Sequence, residues 1–141
     1  MKKLTLILLA LALTVPALAG DRVGLSVNVG GSLSHVPEPR LLSPTTEQVD
    51  LTGQTSLVFE WSPFEGDITR RDYYDFRVYK GYNRVAENLI FKEKVSKSSH
   101  KMDLNADRFE NGQVYTWSVR QVYMNGSKSR KAAASFKAVR R

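Results

Sequence analysis

Two histidines, His35 and His100, stand 65 residues apart in a chain without cysteine. Thiolate nucleophiles and thiolate zinc sites are thereby excluded, and neither a Ser-His-Asp relay nor a two-histidine metal site has supporting spacing. Asp67, Asp72 and Asp75 gather beside Arg70 and Arg71. Their order matches no calcium loop and the arginines oppose a cation, so the segment reads as a solvated turn with local ion pairs. Glu60, Glu65 and Asp67 supply carboxylates, yet nothing singles out two of them flanking a cleft, as glycoside hydrolysis requires. No catalytic, cofactor-binding or metal-ligating residue is assigned, and the chain is not expected to be an enzyme.

The side chains point instead to a surface. If Tyr74, Phe76 and Val78 enter a core, then Arg77 and Tyr79 face outward beside Thr116, Ser118 and Arg120 of a neighbouring strand, with lysines of the last strand alongside. Tyr73, Tyr79 and Tyr82 surround the same strand and its turn. The candidate binding face is therefore Tyr73, Arg77, Tyr79, Tyr82 and Arg120. A planar Arg or Tyr stacks on, or hydrogen-bonds to, a sugar or a protein loop, and a basic face suits an acidic polymer. The competing reading is an ordinary solvated sheet face.

The elements that would carry this face are strands. From Gln54 onward apolar residues alternate with polar ones over short runs, the period of half-buried strands. Leu57, Phe59 and Trp61 make one face, Tyr74, Phe76 and Val78 the next. Leu89 to Phe91, Met102 with Leu104, and Tyr115, Trp117 and Val119 follow. Asn125-Gly126 supplies a turn that tolerates positive φ before Ala134, Phe136 and Ala138. With an upstream strand around Arg40 to Leu42, about seven strands result, and an antiparallel all-β sandwich is the economical solution.

Two stretches carry a family resemblance. Leu57-Val-Phe-Glu-Trp61-Ser-Pro63 resembles the second strand of a fibronectin type III domain, where a tryptophan enters the core just before a proline-marked turn. Phe109-Glu-Asn-Gly112-Gln-Val-Tyr115-Thr-Trp117-Ser-Val119 resembles that family's corner and sixth strand, and Asn125 to Ser129 the turn before its last strand. The resemblance covers roughly Pro37 to Val139, with Trp61, Tyr74, Tyr115, Trp117 and Phe136 as core markers. It departs at the polar connection Glu65 to Arg71 and at Gln121, where the family usually has a small apolar residue. The resemblance implies an immunoglobulin-like sandwich with a corner tyrosine bonded to nearby backbone, and a binding, spacing or scaffolding role without an active site.

Ahead of this domain, Lys2 and Lys3 precede an apolar stretch from Leu4 to Val15, then Pro16 and Ala17-Leu18-Ala19. These are the three regions of a secretory signal peptide, with cleavage expected after Ala19. The apolar core is too short for a membrane-spanning helix, which takes about 20 residues. The expected organisation is a leader at 1–19, an N-terminal arm or extra strand at 20–36, and a fibronectin type III-like domain at 37–141. The arm alternates through Val23, Leu25, Val27 and Val29, and pairs either with its own sandwich or with another subunit.

The whole chain carries +7 with 42% apolar and 25% charged residues, an ordinary globular balance. Much of the excess lies in the last strand and tail, where Lys128, Arg130, Lys131, Lys137, Arg140 and Arg141 meet no acid between Ser127 and the end. Lys137, Arg140 and Arg141 are a candidate foot on an anionic surface. Nucleic acid is not an expected partner for an exported chain lacking a basic patch threaded with aromatics. The expectation is an exported bacterial protein, periplasmic or at the cell surface, acting as a non-catalytic interaction or structural module on an envelope protein or an anionic polymer. The alternative is a carbohydrate-binding accessory domain that uses the three tyrosines and the basic face. Oligomeric state and partner identity stay open, and no cofactor is implied.

Overall fold

The computed structural model describes residues 37–64 and 70–141. The expected leader at 1–19, the arm at 20–36, His35, and Glu65 and Asp67 of the polar connection lie outside the described residues. Among the described residues there are eight strands: β1 (Leu41–Ser43), β2 (Gln48–Asp50), β3 (Ser56–Trp61), β4 (Arg71–Lys80), β5 (Leu89–Ser96), β6 (Lys101–Asn105), β7 (Val114–Tyr123) and β8 (Ala132–Val139). One sheet has the order β1-β3-β6 and the other β2-β8-β7-β4-β5.

The period-two pattern decides which side chains meet between the sheets. Leu57, Phe59 and Trp61 of β3 point toward Tyr74, Phe76 and Val78 of β4 and Tyr115, Trp117 and Val119 of β7, and all are buried. The core markers Trp61, Tyr74, Tyr115, Trp117 and Phe136 are each no more than 1% exposed. Phe59 is the hub: its ring centroid lies 5.2 to 6.1 Å from those of Trp117, Phe76, Phe109 and Phe136. Rings from both sheets thus interlock edge to face, which favours one packing over the many that aliphatic side chains would accept.

The antiparallel, seven-strand expectation needs one amendment. β2 is an eighth strand, and it runs parallel to β8 through Gln48–Lys137, Val49–Ala138 and Asp50–Val139. Its three residues are too few to register as an alternating run. Between β1 and β2 the chain leaves one sheet for the other. Pro44 lies at this crossing and has no N–H for a ladder. Its carbonyl accepts from Trp117 Nε1 at 3.0 Å, so the crossing is tied to the core.

The corner before β7 has the form the resemblance implies. Tyr115 Oη accepts a hydrogen bond from the Glu110 backbone N–H at 2.8 Å, while its ring packs edge-on to Phe109 at 5.0 Å. In the turn after β7, Gly126 adopts φ +88°, a conformation that L side chains rarely take, and Asn125 Oδ1 accepts from Ser127 N at 2.9 Å. Gln121, the anomaly in the family pattern, is fully buried in a polar niche. Its Nε2 donates to the Pro37 carbonyl at 2.7 Å, and its own backbone N–H is accepted by Ser129 Oγ at 3.0 Å. A small apolar residue there would leave that carbonyl without this donor.

Candidate binding face on the five-stranded sheet

Side chains that do not enter the core stand on the opposite face of β4, β5 and β7. Register places Asp75 of β4 between Lys94 of β5 and Arg120 of β7, and Arg77 between Lys92 and Ser118. Directly opposed residues in antiparallel strands share a face, so three strands bring one carboxylate and four cations together.

Asp75 organises them. Arg77 donates from Nε to Oδ1 at 2.9 Å and from Nη2 to Oδ2 at 3.0 Å, and Arg120 donates from Nε to Oδ2 at 3.1 Å with Nη2 at 3.0 Å. The Asp75 side chain is only 7% exposed, those of Arg77 and Arg120 23% and 21%. Burial pushes the Asp75 carboxyl up, but the hydrogen bonds and charges of Arg77 and Arg120 outweigh it and hold the group below its ordinary value. Arg77 is shifted up, by its bond to Asp75 and, against burial, by the Tyr79 hydroxyl. An ionised carboxylate thus clamps two permanently charged forks side by side.

A shallow pocket of about 150 Å³ opens over this triad, lined by Tyr73, Asp75, Arg77, Lys92, Lys94, Arg120 and Lys128. Five cations surround one carboxylate. The Lys94 ammonium lies 4.7 Å from the centroid of the Tyr73 ring, so that ring already carries a cation on one face.

Arg77, Arg120 and Tyr73 of the sequence-derived face come together here; the other two tyrosines do not. Tyr79 is 2% exposed, a correction to its expected outward presentation. Its register with β7 is unbroken, opposite Thr116, so it shares the face of Arg77 as alternation expects, but its hydroxyl engages Arg77 and the ring is buried on that face, opposite Leu89 where the β5 register shifts. Tyr82 is 71% exposed but lines a separate groove with Glu47, Gln48, Val114, Ser135, Phe136 and Lys137. No three-tyrosine platform is formed. Asp75 is likewise no part of a solvated turn: it sits within β4, and its partners are Arg77 and Arg120.

The basic tail contributes Lys128 alone to the pocket. Arg140 instead pairs with Asp107 at 3.6 Å and donates to the Ala106 carbonyl, while Arg141 lies 3.9 Å from Asp50. Lys92, Lys94 and the organising role of Asp75 went unread in the sequence. The two-residue spacing of Lys92 and Lys94 beyond Phe91 was the available signal, once that strand is extended past its apolar start. Among the described residues no group of three or more His, Cys, Asp or Glu side chains is placed to hold a metal ion, and no helix is long and apolar enough to cross a membrane.

No protein-family model matches the chain, and no curated protein matches it. Solved structures do. A computationally redesigned β-sandwich protein is similar over 77% of this chain and 97% of its own, at 11% identity and a TM-score of 0.52. Fibronectin(III)-like modules of CbhA from Clostridium thermocellum align over 72% of this chain and 97% of theirs, at 14% identity and a TM-score of 0.49. An Fn3-like protein from the same organism aligns over 74% and 95%, at 17% identity and 0.48. With the two-sheet strand order and the corner tyrosine, the fold is a fibronectin type III-like β-sandwich.

Proposed function

We propose that this fibronectin type III-like sandwich is an exported, non-catalytic interaction module of the bacterial cell envelope, and that its working surface is the basic face of the five-stranded sheet, which takes an anionic polymer. The observation that carries the reading is the carboxylate-clamped pair Arg77 and Arg120, ringed by Lys92, Lys94 and Lys128. Anchoring both guanidiniums on one carboxylate leaves each with further N–H donors beside a ring of lysines, an arrangement suited to a face that meets an anion. Export rests on the leader pattern of residues 1–19. Charge and donor geometry support recognition better than ring stacking does, because Tyr79 is packed away and Tyr82 stands in another groove.

The test is retention of the chain on an immobilised polyanion along a salt gradient. Lys92 and Lys94 are exposed, so K92E/K94E leaves the core intact while reversing the rim. The variant is expected to elute at clearly lower salt than the parent, and Y82A at the same salt. Equal elution of K92E/K94E and parent ends the proposal. N-terminal sequencing of the protein isolated from its host is expected to begin at Gly20.

A further inference from the structure

The pocket is more selective than a basic face needs to be. Each guanidinium carries five N–H donors; Arg77 spends two on Asp75 and engages the Tyr79 hydroxyl, and Arg120 meets Asp75 through Nε and Nη2, so both retain donors for a further acceptor. Lys92 and Lys94 approach from β5, and Lys128 from beyond the end of β7. The donors lining the pocket therefore come from β4, β5, β7 and the turn beyond β7, not from a single fork. A planar carboxylate is satisfied by one in-plane fork, whereas a tetrahedral oxyanion accepts from several directions at once. The excess of positive charge fits a group carrying close to two negative charges. At about 150 Å³ the space lies well below the roughly 300–1,000 Å³ of pockets that enclose a whole small molecule, so it admits one substituent and not the unit that bears it.

Resting on the anionic-polymer reading above, we infer that the pocket over Asp75 is a phosphate site, which takes the phosphoryl group of a phosphate ester between Arg77 and Arg120 with Lys92, Lys94 and Lys128 closing around it. Asp75 is a positioning residue that holds both forks and does not touch the ligand's charge directly.

The test titrates the isotope-labelled chain with inorganic phosphate and with acetate at matched ionic strength, following backbone amide and arginine side-chain NMR signals. Phosphate is expected to move Arg77 and Arg120 with saturation, and acetate to move them several-fold less. The double variant R77K/R120K keeps every charge but removes the forks; it is expected to lose roughly tenfold in phosphate affinity while keeping its salt-dependent retention on a polyanion. D75N gives an opposed sign: added net charge alone would tighten phosphate, whereas loss of positioning weakens it. Thermal melts of each variant establish that it is folded, and if R77K/R120K does not fold, single R120K replaces it.

Equal responses to phosphate and acetate, or unchanged phosphate affinity in the lysine variant, would overturn the phosphate site and leave the anionic-polymer reading standing. Failure of the parent chain to bind any polyanion would remove both. Two further arms locate the phosphate. Retention on vesicles containing phosphatidic acid but not on phosphatidylcholine places it on a lipid, and retention on dextran bearing phosphate monoesters, but not on unmodified dextran or on vesicles, places it on a polymer; either outcome supports the site.

Discussion

Asp75 shows how a single side chain couples stability to the binding face. Its carboxyl is held below the ordinary aspartate value of 3.8 by two arginines despite its burial. A group whose folded-state pKa is depressed adds stability above the unfolded value and surrenders it as pH falls through the folded one. The thermal midpoint of the parent is therefore expected to fall between about pH 5 and pH 2 in part through this residue. D75N, less stable by about 2 kcal/mol at neutral pH because two half-buried guanidiniums lose their counter-charge, is expected to show a shallower decline over the same range. Melting curves of the two proteins against pH check this, and parallel declines would show that Asp75 contributes nothing to the acid limb.

At the scale of elements, β7 is paired on both sides, with β4 and β8, and the corner before it anchors its start. Replacing Tyr115 by Phe keeps the ring against Phe109 but leaves the Glu110 N–H without its acceptor. The expected loss is about 1.5 kcal/mol in chemical denaturation, with an unchanged denaturant slope because the exposed area on unfolding is the same. A loss near zero would mean that water replaces the hydroxyl at the corner. This corner, the three alternating faces of β3, β4 and β7, and the turn at Asn125-Gly126 were legible in the sequence because each is a local pattern. The three residues of β2 were not legible, since a parallel pairing to β8 is specified by a partner some ninety residues away and not by alternation. The shift at Val78 and Tyr79 was hidden for a related reason. Alternation puts Tyr79 on the face of Arg77, as the register with β7 does, but its burial there and the irregular pairing with β5 depend on neighbours that alternation does not show. The Asp75 cluster required the registers of β4 with both β5 and β7, so Arg77 and Arg120 were nominated as neighbours while their organising carboxylate was assigned to a turn.

Over the whole molecule, the net charge of +7 does not say where an anion would settle. The sequence concentrates six basic residues after Ser127, and the structure ties the last two to the rest of the sandwich: Arg140 reaches Asp107 and the Ala106 carbonyl, its backbone N–H donates to Asn111 Oδ1 at 2.7 Å, Arg141 lies 3.9 Å from Asp50 and its backbone N–H donates to Thr52 Oγ1 at 2.8 Å. The end of the tail is thus held by the sandwich, whereas Lys92 and Lys94 beside the Asp75 cluster are exposed. These two roles separate experimentally. R140A is expected to cost about 1 kcal/mol of stability, the scale of a lost side-chain hydrogen bond, and to shift polyanion elution less than K92A, which removes the same formal charge. K92A is expected to do the reverse, with a melting temperature close to the parent's and the larger elution shift. Exposed charges act over only about 8 to 10 Å at physiological salt, so position outweighs the total once the gradient passes that range. If R140A instead moved elution as far as the rim variant, the tail would be the contact with the anionic surface and the pocket over Asp75 a structural ion cluster.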